Sequence, residues 1–124
     1  MDINKLINDF KEFDSATVQN AMILVRGYVD ANIDYTSPDL KCYNFQNPVV
    51  GIAVTAKVTP LDEPKSKIDF NELYLNIKNS EYPVFAILQD IEEDNGRAAI
   101  IGDVMAHMGK ALGAVGMVAG GSVR

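Results

Sequence analysis

The residues best suited to chemistry close the chain: residues 102–124 read GDVMAHMGKALGAVGMVAGGSVR. A strand expected over 97–101 stops at Gly102, and a helix expected over 103–112 begins at Asp103. The first amides of such a helix have no acceptor within it, and the helix dipole adds to their attraction for an anion. Gly102 carries no side chain, so a ligand can approach the backbone closely there. A further strand over 115–119 delivers a glycine turn, Gly120–Gly121, with Arg124 behind it. A guanidinium is a natural bidentate partner for a carboxylate. These two anion-suited elements meet if their strands are neighbours. Asp103 equally suits the plain role of a first-turn acid, and Arg124 that of a surface arginine; at this point both readings stand.

Weaker candidates lie nearby. His107 follows Asp103 by one turn on the same helix face, but a metal pair there lacks an evident third ligand, so a solvated or interface histidine is expected. Asp90, Glu92, Glu93 and Asp94 read as an exposed charged loop, with a nonspecific cation site as the alternative. Cys42 is the only cysteine, which excludes a disulfide framework and a thiolate zinc cluster; it is read as structural. Gly113, Gly116, Gly120 and Gly121 serve turns and a helix stop, since no G-x-G-x-x-G follows a strand.

These residues need elements to position them. Ile3, Leu6, Ile7, Phe10 and Phe13 recur at helical spacing, so residues 2–12 are expected to be helical. Asp14 or Ser15 caps a second helix with Val18, Ala21, Met22 and Val25 on its apolar face and Gly27 after its last turn. Residues 28–48 read as loop. Val49–Val58 alternates as a strand, with Ile52, Val54, Ala56 and Val58 on one face. Pro60 and Pro64 bound a charged connection. In residues 68–78, Phe70, Leu73, Tyr74 and Ile77 fit a helix while Leu73, Leu75 and Ile77 fit a strand, and length favours the helix. PVFAILQ (83–89) is nearly continuous in apolar character, as for a central strand covered on both faces. The last helix is expected to bury Val104, Met108, Ala111 and Leu112. Mixed strands and helices point to an α/β class.

Composition narrows the function classes. The 124 residues suit one domain, with 48% hydrophobic and 23% charged residues. Eleven Lys and Arg against 17 Asp and Glu give a net charge of −6. This balance argues against a nucleic-acid backbone binder and against docking on an anionic membrane. The start, MDINKLINDF, has neither basic n-region nor apolar h-region, and the run Ala111–Ala119 is far short of a membrane span. A cytoplasmic location is therefore the expectation.

The ordered set Gly102–Asp103, Gly113, Gly116, Gly121 and Arg124 resembles the RraA-like family, which includes the 4-hydroxy-4-methyl-2-oxoglutarate aldolases. Upstream, SATVQNAM (15–22), VVGIAVTAKV (49–58) and PVFAILQD (83–90) resemble the family's first helix, its G-x-A-x-T-V strand and the strand before its active-site loop. The resemblance covers roughly residues 13–124 and implies one domain over 1–124 with a three-layer swivelling β/β/α fold, assembled as trimers or hexamers. It implies a lyase dependent on a divalent cation, Mg²⁺ or Mn²⁺, that cleaves 4-hydroxy-4-methyl-2-oxoglutarate-type substrates or decarboxylates oxaloacetate through pyruvate enolate. By position, Arg124 would hold the carboxylate or keto oxygen of a 2-oxo acid. The amides near Gly102, Asp103 and Val104 would bind its carboxylate, and Asp103 would hydrogen-bond a metal-bound water and relay a proton. Two departures stand out. The aspartate that follows the arginine in the family, its direct metal ligand, has no counterpart after Arg124, and the aspartate before Gly121 is Gly120 here. These departures raise two alternatives to a lyase. One is a regulatory protein that binds and inhibits an RNA-degrading endonuclease, as some relatives do. The other is an inactive, truncated or degenerate member that still assembles.

Overall fold

Asp2, Asp14 and Asp30 each start a helix in the same way. Each carboxylate accepts a hydrogen bond from an amide of the first turn that would otherwise lack a partner. The computed structural model describes residues 1–43, 47–59, 69–93 and 96–124. They fall into two units, Met1–Val49 and Val50–Arg124, each with its own internal packing.

In the first unit, Asp2 caps α1 (Ile3–Phe10) through the Lys5 amide at 3.1 Å, and Asp14 caps α2 (Ser15–Arg26) through the Thr17 amide at 2.7 Å. The Thr17 bond also holds the Asp14 carboxyl below its ordinary pKa. Gly27, at φ +87°, ends α2 in the left-handed region. Residues 28–48 are not all loop: a single helical turn, α3 (Ala31–Asp34), lies within them. Four residues are too few for hydrophobic periodicity to reveal. Asp34 ties this turn to α2. Its carboxylate accepts from the Arg26 guanidinium and, at 2.7 Å, from the Asp30 amide, and its carbonyl accepts from the Gln19 side chain. The Arg26 bond first, then the Asp30 bond, hold the Asp34 carboxyl below its ordinary value. Among the described residues of this unit only Ile7 is buried. The expected α2 face is largely exposed: Met22 and Val25 line an open apolar groove of about 510 Å³ together with Phe10, Phe13 and Val18.

The second unit is α/β with parallel strands. Its elements are β1 (Ile52–Val58), α4 (Asn71–Lys78), β2 (Val84–Asp90), β3 (Ala99–Ile101), α5 (Asp103–Leu112), β4 (Ala114–Ala119) and β5 (Ser122–Val123). The charged connection with Pro60 and Pro64, and the first residue of the 68–78 helix, lie outside the described residues. β1, β2 and β4 form one parallel sheet in that order, with Val54 opposite Ala86 and Ala86 opposite Met117. β3 and β5 form a second, two-stranded parallel sheet.

Helix α4 packs on β1 and α5, and α5 packs on β4. Leu73, Tyr74 and Ile77 of α4 meet Val84, Ala86 and Leu88 of β2, with Ile100, Ile101 and Ala114 completing the core. Each large aliphatic side chain buried here contributes roughly 1.5–3 kcal/mol. Burial also pushes the Tyr74 phenol pKa up.

Two expectations are corrected here. β2 is central but covered on one face: Val84, Ala86 and Leu88 are buried, whereas Ile87 and Gln89 on the other face are exposed. Helix α5 turns Met105, Gly109 and Leu112 inward, while Val104, Met108 and Ala111 are exposed. The close approach of Gly109 to the sheet explains the shift, since a Cβ there would lie 2.9 Å from Met117 Sδ. A stripe counted from large apolar residues misses a glycine that packs. Among the described residues, no helix is long and apolar enough to cross a membrane.

Candidate functional site

The corner that unites the predicted residues is built by the second sheet. β3 and β4 are not neighbours: β4 joins β2, and the Gly120–Gly121 turn then carries the chain across to β3. The Gly120 amide still donates to the Leu88 carbonyl at 2.7 Å, which extends the first sheet by one residue. β5 then pairs with β3, with Ile101 opposite Val123, and the Arg124 amide donates to the Ile101 carbonyl at 3.0 Å. Because the pairing is parallel, Gly102 and Arg124 emerge side by side at the carboxyl ends of the two strands. This is where open α/β sheets carry their ligands.

The side chain of Arg124 lies over Gly102. A Cβ built on Gly102 would sit 3.7 Å from Arg124 Nε and 3.9 Å from its Cγ. Gly102 has extended backbone (φ −104°, ψ 171°) and begins α5 without a side-chain cap, and its carbonyl accepts from the Ala106 amide at 3.0 Å. The amides of Asp103 and Val104 therefore have no acceptor within the helix. Gly102 is half-buried, Asp103 and Arg124 are exposed, and Val104 is 64% exposed. A guanidinium and two helix-terminal donors thus share one open corner, an arrangement suited to a carboxylate. Openness to water keeps each charge interaction small.

The remaining candidates are placed differently. His107 is exposed, and its Nδ1–H donates to the Asp103 carbonyl at 2.8 Å, a bond within the first turns of α5. The acidic cluster is not an exposed loop throughout: Asp90 is 5% and Glu92 7% exposed, Glu93 is exposed, and Asp94 lies outside the described residues. Cys42 is free and exposed, so its reading as a structural residue is corrected. At position 120 a Cβ would make only ordinary contacts, the nearest at 3.5 Å, so the absence of a side chain there is not forced by packing.

Among the described residues, no three His, Cys, Asp or Glu side chains gather to hold a metal ion. Asp103 is the carboxylate of this corner, and one carboxylate does not make a resident Mg²⁺ or Mn²⁺ site. The described residues of this corner alone therefore do not make a tightly held cation site.

Sequence reasoning missed β5, which is too short to show alternation, and the buried state of Asp90. The second had a signal, because Val84, Ala86, Leu88 and Asp90 share a period of two. Comparison with family models, with curated proteins and with solved structures finds no match to this chain.

Proposed function

We propose that the Gly102–Arg124 corner binds the carboxylate of a small 2-oxo acid, and that the protein is an RraA-like lyase acting on oxaloacetate or on 4-hydroxy-4-methyl-2-oxoglutarate-type substrates. The observation that carries this reading is Arg124 lying over Gly102 beside the uncapped start of α5. In oxaloacetate decarboxylation the bond to the departing carboxylate breaks, CO₂ leaves, and the electron pair moves into the enolate of pyruvate. A proton from water then completes pyruvate. Arg124 and the Asp103 and Val104 amides stabilise the negative charge that gathers on the substrate oxygens. Mg²⁺ or Mn²⁺ enters as a co-reactant supplied from solution. The three-layer β/β/α fold and a trimeric or hexameric assembly belong to the same proposal. The exposed face of β2 supports it, because parallel sheets are ordinarily covered on both faces.

The test is pyruvate release from oxaloacetate with Mg²⁺ or Mn²⁺, against metal alone, a chelator and Arg124→Ala. Turnover above the metal-only background that requires Arg124 is expected. No such turnover from folded protein refutes the lyase. A second reading, a protein that inhibits an RNA-degrading endonuclease, is favoured by the incomplete metal-ligand set among the described residues. It requires stable binding to such an endonuclease and a fall in its cleavage rate.

A further inference from the structure

β5 is two residues long, and so short a strand is not held by its own ladder. Its position, and with it the position of Arg124, needs another anchor. The structure assigns that role to Asp90, as a positioning residue that fixes β5 against β3 and thereby sets Arg124 over Gly102.

Asp90 ends β2 on the inward face and is 5% exposed. A buried carboxylate is costly unless its oxygens are hydrogen-bonded. Here Oδ1 accepts from the Glu92 amide at 3.1 Å, and Oδ2 accepts from the Gly96 amide at 3.0 Å. The Gly96 carbonyl in turn accepts from the Ser122 hydroxyl. Ser122 begins β5 and pairs with Ala99. Gly121, immediately before it, passes so close that a Cβ there would lie 3.1 Å from Asp90 Oδ2 and 2.7 Å from Ile100 Cδ1. A continuous path therefore runs from the carboxylate through Gly96 and Ser122 to the Arg124–Ile101 bond. It joins the end of the three-stranded sheet to the two-stranded one. The positioning role stands apart from the function proposed above; only its effect on turnover rests on that function.

The experiment compares Asp90→Asn and Ser122→Ala by amide hydrogen exchange and by oxaloacetate kinetics. Ser122 is exposed, so Ser122→Ala cuts the path without disturbing the core. Both variants are expected to speed exchange at the Arg124 amide about tenfold, the scale of one lost hydrogen bond, with Ala86 and Leu88 of β2 unchanged. In the kinetics KM rises and kcat falls with it, because a cation that both binds the substrate and stabilises its developing charge has been loosened; a general loss of folded protein would lower kcat and leave KM unchanged. Faster exchange at Arg124, with wild-type protein that releases no pyruvate, upholds the positioning role and refutes the lyase. Unchanged exchange at Arg124 in folded Ser122→Ala overturns the inference, whatever Asp90→Asn does to folding.

Discussion

The two units of this chain hold themselves together by different means. Met1–Val49 relies on helix caps and on the Arg26–Asp34 pair, with Ile7 as its buried apolar residue among those described. Val50–Arg124 relies on a continuous apolar core between a parallel sheet and two helices. The contrast separates local hydrogen bonding, which is sensitive to pH and to single polar changes, from non-local packing, which is sensitive to lost volume.

The largest expected effect is in the packed unit. Leu88 is fully buried in the central strand, so Leu88→Ala should cost about 3 kcal/mol, measured by urea unfolding. A cost under about 1 kcal/mol would mean that the core is less closely packed than described.

Next comes the polar link of the first unit. The Asp34 carboxyl is held below its ordinary value of 3.8, so it binds a proton less readily folded than unfolded. Its stabilisation is therefore fully present above that value and is lost as pH falls through the folded pKa. Asp34→Asn should remove this acid-sensitive limb and loosen α3 at neutral pH, read by hydrogen exchange at the Asp34 and Ile33 amides. The Leu88 environment should not respond. If both units respond equally to Asp34→Asn, the contrast between them fails.

A smaller effect is expected at a single cap. Asp14→Ala should fray the first turn of α2, seen as faster exchange at the Thr17 amide, while α5, which starts at a glycine, is unaffected. Asp14→Asn, which keeps a carbonyl acceptor, should restore most of the protection.

Legibility in the sequence divides along similar lines. The Asp14 cap, the glycine stops at Gly27 and Gly113, and the alternation of β1 are local signals, and each element lies within a few residues of its expected place. The inward face of α5 was not legible, because the packing residue at its centre is Gly109, which carries no hydrophobic signal. The single covered face of β2 was hidden by apolar residues on both of its faces, Phe85 and Ile87 opposite Val84, Ala86 and Leu88. At the site, Gly102, Asp103 and Arg124 were identifiable by residue type. Their juxtaposition was expected through β4 and comes instead through β5. A two-residue strand is a tertiary product: its pairing depends on Ile101 and its anchorage on the Asp90 path, neither of which is encoded nearby.

The most direct test of the corner is an NMR titration with pyruvate and with oxalate, following the amides of Gly102, Asp103 and Val104 and the Arg124 Nε–H. Saturable shifts confined to these groups are expected, with a Kd on the order of 1 mM for so open a site, and Arg124→Ala should abolish them. If these resonances stay unmoved at tens of millimolar ligand, or respond equally in Arg124→Ala, the corner is not a carboxylate site.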